Sequence, residues 1–118
     1  MPIINKTKDN LLAHNVFVAR DFFARAKGLL GRRSLDPSEA LIIPQCQAIH
    51  MMFMQFPIDV VFVDRTYHVV GLVRGIKPFQ VSAFFWKAVF AIELEAGVID
   101  KTKTRLGDLL DFRSFDII

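Results

Sequence analysis

The segment PQCQAIHMMFMQFPIDVVFVD, residues 44–64, holds the only cysteine of the chain, one of its three histidines and three of its four methionines. Thiolate, imidazole and thioether together make a soft ligand set of the kind that selects Cu(I). If Gln45–His50 is a strand that continues to Met54, alternation places Cys46, His50, Met52 and Met54 on one face. Alternate side chains then stand about 7 Å apart, so they meet one ion only with help from elsewhere. A soft-metal site at these four residues is therefore the minor alternative to plain burial of sulfur in a core. Cys46 and His50 also raise nucleophilic catalysis, which needs a thiol within hydrogen-bond reach of its base. On a strand they stand about 13 Å apart, and a buried, inert thiol is the better reading.

Asp59 interrupts the apolar run PIDVVFV. Alternation puts it on the face of Val61 and Val63, with Ile58, Val60 and Phe62 on the other. Both faces are apolar, which describes an interior strand. A carboxylate there must accept backbone N–H bonds or meet a cation. Its place after Pro57 suits capping of a turn, and an ion pair with Arg32 is the sharper alternative. Glu93 and Glu95 share a face with Val89 and Ala91, an alternation that predicts solvent exposure for both acids. Asp108 follows Gly107 in a turn that opens a strand. Trp86 in FFWKAVF reads as a core or rim aromatic. No phosphate-binding glycine loop, GxSxG elbow, HExxH helix or CxxC pair is present.

The elements that carry these residues are mostly strands. The sequence predicts them at Ile3–Thr7, His14–Ala19, Ala40–Ile43, Gln45–His50, Ile58–Val63, His68–Val73, Ala88–Glu95 and Asp108–Phe112. The principal helix is predicted over 21–30: Asp21 is a good N-cap, Phe22, Phe23, Ala26, Leu29 and Leu30 recur at helical spacing, and Gly31 suits the C-terminal end. Many short strands with one helix predict a mostly β domain, a small antiparallel barrel or sandwich.

Bulk properties narrow the classes. A chain of 118 residues is one domain with a core large enough to need neither disulfide nor structural metal. No apolar stretch is long enough to span a bilayer. A formal net charge of +3, spread along the chain, does not make the concentrated stripe of a nucleic-acid binder. With 12 phenylalanines in so small a chain, an exposed apolar patch is expected, and homo-oligomerisation through exposed Phe is one use for it. A lone cysteine and a start without an apolar leader core set cytoplasmic location as the default, with export as the alternative if a leader has been removed.

RAKGLLGRRSL at 25–35, CQAIHMMFMQFPIDVVFVD at 46–64, AIELEAG at 91–97 and LGD at 106–108 occur in an order that resembles the domain of unknown function 192 family, over residues 14 to 112. The resemblance implies a small, mostly antiparallel β domain, conserved in bacteria and archaea and without an assigned activity. It implies a shared site at Arg32, Asp59, Glu93 and Asp108. Many members carry a polar Asn-Thr pair ahead of the proline, where this chain has Phe53-Met54, and many relatives are exported.

Together these readings predict a non-catalytic module that binds a small molecule or a protein, with Arg32, His50, Met54, Asp59, Glu93 and Asp108 as its ligand-binding residues and no cofactor. The alternative is a small hydrolase-like enzyme that uses Cys46, His50, Asp59 or Glu93.

Overall fold

The computed structural model describes residues 2–19, 34–51 and 54–112. The helix predicted over 21–30, and with it Arg32, Met52 and Phe53, lies outside the described residues. The elements are β1 (Ile3–Asn5), β2 (Asn10–Ala13), β3 (Asn15–Val18), β4 (Glu39–Pro44), β5 (Ile58–Val63), β6 (Val69–Ile76), β7 (Phe90–Glu95), the short helix α1 (Val98–Lys101) and β8 (Leu110–Asp111). The domain is mostly β, as the strand patterning requires.

Among the described residues two sheets form, and they do not close into a barrel. One is three-stranded in the order β2-β1-β8, the other five-stranded in the order β3-β4-β7-β5-β6. Pairing is antiparallel except between β3 and β4, which run parallel with Val16 opposite Ala40. The chain between those two strands is long enough for the crossover that parallel neighbours need.

β5 is interior, flanked by β7 and β6, and all six of its residues are buried. That is why its sequence is apolar on both faces. One face of the large sheet, with Ile42, Val61, Val63, Phe90, Ile92 and Leu94, packs against Ile3, Leu12 and Ala13 of the small sheet and against Ile99 and Phe112. Tyr67, Phe90 and Phe112 close this layer edge-on, with Phe90 and Phe112 centroids 5.3 Å apart at 85°. The other face, with Leu41, Ile43, Ile58, Val60, Phe62 and Ala91, is covered by irregular chain that contributes Cys46, Ile49, Met51, Met54 and Phe56. Fully burying a side chain such as Phe62 contributes about 1.5–3 kcal/mol.

The strand predicted at Gln45–His50 does not form. β4 ends at Pro44, which has no N–H for a ladder, and Gln45 turns the backbone into the left-handed region at φ 54. Only an isolated bridge, His50 to Val81, remains of it. The proposed common face of Cys46, His50 and Met54 is lost with it: Cys46 and Met54 are buried, whereas His50 is exposed. Two elements go beyond the predicted set. β2 is one, because Leu11 and Leu12 follow a turn at 6–9. The other is α1, where the Ala96-Gly97 turn winds on into a helical turn instead of ending.

Candidate functional site

Asp59 is 1% exposed, and its carboxylate is fully engaged by backbone. Oδ1 accepts the Gly75 N–H at 2.8 Å, and Oδ2 accepts those of Gly97 at 3.0 Å and Ile99 at 2.9 Å. Gly97 is the N-cap of α1 and has no side chain to offer the orphan donors of the first turn. Asp59 supplies the missing acceptor from a different strand. Gly75 and Gly97, at φ 56 and φ 100, hold the backbone shapes that turn these donors inward. The capping role expected from the sequence is met by backbone alone; the pairing with Arg32 involves a residue outside those described.

Asp108, 4% exposed, anchors a second polar cluster beneath the small sheet. Its Oδ2 accepts from Asn5 Nδ2 and from the Arg105 N–H, each at 2.9 Å, while Lys8 Nζ donates to Oδ1 at 2.9 Å. Asn5 Nδ2 also reaches Thr104 Oγ1 at 3.2 Å, and Thr104 Oγ1 lies 2.7 Å from Thr102 Oγ1. Burial pushes the Asp108 carboxyl up, but the hydrogen bonds from Asn5, Lys8 and Arg105, with the Lys8 charge, outweigh it and hold the group below the ordinary range. Every arm of this carboxylate is occupied by structure.

Glu93 is different. It sits in mid-β7, beside Leu41 of β4 and Val60 of β5, on the face covered by Cys46, Ile49, Met51, Met54 and Phe56. The exposure expected from alternation is overturned: Glu93 is 7% exposed, because β7 is the middle strand and both its faces are covered. The carboxyl has no hydrogen-bond or ionic partner among the described residues. Burial pushes its pKa up to about 7. Among the described residues no fully enclosed side-chain oxygen lacks a partner, so the slight exposure of Glu93 falls on its carboxyl group.

The remaining predicted residues do not gather round one point. Asp59, opposite Leu94, and Glu93, opposite Val60, face opposite sides of the sheet. Cys46 is buried and its Sγ donates to the Ala48 carbonyl at 3.2 Å. Met54 is buried in the cluster on the Glu93 side, and His50 is exposed. Among the described residues no three His, Cys, Asp or Glu side chains stand close enough to hold a metal ion. Asn5 and Lys8 were not legible as partners of Asp108, nor Thr104 as a partner of Asn5: the bonded residues stand 99 to 103 positions apart, and no local pattern marks them.

A small two-sheet β domain with buried acids on neighbouring strands is thus the class that fold and site define. The profile of the domain of unknown function 192 family, described as an uncharacterized ACR, matches residues 3–112, and the chain belongs to that family. It is 34% identical over 114 residues to a UPF0127 protein of Thermococcus sibiricus, covering 93% of this chain and 73% of the relative. A UPF0127 protein of Pyrococcus horikoshii is 32% identical over 112 residues, covering 90% of this chain and 94% of its own. Both relatives are archaeal. The crystal structure of a protein of unknown function from Novosphingobium aromaticivorans superposes with a TM-score of 0.79 at 20% identity, covering 95% of this chain and 84% of that one, and so shares the fold. Among the described residues no helix is long and apolar enough to cross a membrane.

Proposed function

We propose that this protein is a non-catalytic binding module whose site centres on Glu93, and that its ligand is a small molecule with an apolar body and a cationic or hydrogen-bond-donating head. The observation that carries this reading is the buried carboxyl in the middle strand, which has no partner among the described residues. An unpaired acid in an apolar layer costs several kcal/mol and is retained where a ligand supplies the partner. Of the six residues expected to bind, Asp59 and Asp108 are committed to backbone and side-chain partners, which leaves Glu93 as the acceptor. Among the described residues the cover over its face is irregular chain containing Cys46, Met51 and Met54, where the opposite face is closed by a sheet. Methionines repack at low cost and irregular chain opens more readily than a ladder, so this is the side that admits a guest.

Alkylammonium ions serve as probes. Propylammonium and benzylammonium titrated at pH 8 are expected to produce saturable amide chemical-shift changes in β4, β5 and β7. Glu93→Leu should abolish them and Glu93→Gln should weaken them at least tenfold. Equal shifts in wild type and Glu93→Leu, or none in wild type, would overturn the reading.

A further inference from the structure

A second surface is unexplained by that site. Between β6 and β7 the chain KPFQVSAFFWK exposes Phe79 (65%), Val81 (69%), Phe84 (65%) and Trp86 (70%). Trp86 therefore lies at the surface, not in the core or its rim. These are exposed apolar side chains of the kind that the phenylalanine content foretold.

The segment is irregular but pinned. Phe79 N–H donates to the Met51 carbonyl at 2.8 Å, Ser82 N–H to Ile49 at 2.8 Å and Phe85 N–H to Gln47 at 2.8 Å. Gln47 Nε2 reaches the Trp86 carbonyl at 2.8 Å. Phe85 turns inward and lies over Phe62 at 4.5 Å between centroids, in the space left by Gly71, where a Cβ would meet the Phe85 ring at 2.5 Å. Phe79 is held at φ 68, a conformation unfavourable for a bulky residue, and its ring points to solvent. The fold thus fixes the base of this loop and spends backbone strain on holding its apolar residues out.

Charge indicates what meets them. No Asp or Glu occurs between Arg65 and Ile92, and the two exposed lysines, Lys77 and Lys87, stand at the ends of the aromatic run. Neither lysine forms an ion pair among the described residues, whereas Arg74 is paired with Asp100 at 2.9 Å. Lys87 Nζ lies 5.3 Å from the Trp86 ring centroid. A self-complementary contact with a second copy would set these unpaired lysines against the same cationic surface. Two cations are too few for the electrostatic groove of a nucleic-acid site. Rigid aromatics flanked by lysines match an anionic bilayer surface, where the rings enter the headgroup boundary and the ammonium groups reach phosphate.

We infer that the 77–87 loop docks the protein peripherally on anionic lipid. Trp86, the single tryptophan, reports the event without a label. Full-length protein is mixed with vesicles of phosphatidylcholine alone or of equal phosphatidylcholine and phosphatidylglycerol. With the anionic vesicles, Trp86 emission should shift to the blue and the protein should co-sediment. Lys77→Ala and Lys87→Ala should each weaken binding about fivefold. Phe79→Ser with Phe84→Ser should weaken it about tenfold or more while leaving the far-UV spectrum and melting temperature near wild type, since both rings are exposed. Failure of the anionic vesicles to move the emission would overturn the inference. So would equal binding to neutral vesicles, or a blue shift that grows with protein concentration alone, which would make a second copy the occupant.

Discussion

Asp59 and Glu93 stand on adjacent strands of one sheet, both buried, and they have opposite fates. Asp59 receives three backbone N–H bonds and ties β5 to β6 and to the start of α1. Glu93, one step along the ladder on the other face, receives none among the described residues. A buried carboxylate that is satisfied is architecture; one that is not is chemistry waiting for a partner. Among the described residues the two faces differ in the same way: a sheet closes over the Asp59 side and irregular, sulfur-bearing chain over the Glu93 side.

The largest expected effect breaks the satisfied member. Asp59→Ala orphans three N–H groups and should lower stability by about 3–5 kcal/mol, read from urea unfolding midpoints. A loss under about 1 kcal/mol would remove the distinction between the two acids.

Glu93 should give an effect of similar size whose sign depends on pH. Its folded pKa, about 7, is raised above the ordinary 4.5. The stability contributed by the neutral carboxyl is therefore full below pH 4.5 and is lost as pH rises towards 7, by roughly 3 kcal/mol at 1.36 kcal/mol per pKa unit. Glu93→Leu should flatten that fall and make the protein more stable than wild type at pH 8. An unchanged slope between pH 5 and 7 would show that Glu93 has a partner after all.

Asp108 should titrate in the other direction. Its pKa is depressed, so its contribution is present above the unfolded carboxylate range and is lost as pH falls through the lowered value. Asp108→Asn keeps the shape, weakens the Lys8 contact and should cost about 1–3 kcal/mol at pH 7 while reducing the acid sensitivity below pH 4. The smallest effect belongs to the exposed Arg74–Asp100 pair, where Asp100→Ala should change stability by under about 0.5 kcal/mol.

Much of the frame was readable because β strands write their burial as alternation. Ile58–Val63 appears with the boundaries its sequence predicts, and its two faces divide as alternation requires. Alternation failed at Glu93 because it reports one strand's own two sides; it cannot tell that chain from elsewhere covers the polar one. It failed at Gln45–His50 because propensity said strand while Pro44 and the left-handed Gln45 ended the ladder. The partners of Asp59 were invisible for a further reason. They are backbone groups, and no side chain at Gly75, Gly97 or Ile99 advertises them.

The small sheet also sets an order of events. β1 lies between β2 and β8, with Ile4 opposite both Leu11 and Asp111. Asn5, beside it, waits for Thr104 and Asp108, the latter 103 positions away. While the chain is being made, β1 and β2 can form only an isolated hairpin, which is marginal in water. Loop closure over such a span is slow relative to the neighbouring pairings of β5 with β6 and β7. The five-stranded sheet is therefore expected to assemble first. Residues 104–111 then act as the closing stitch, and a ribosome-stalled chain lacking them should leave Asn5 and Lys8 open to protease and hydrogen exchange.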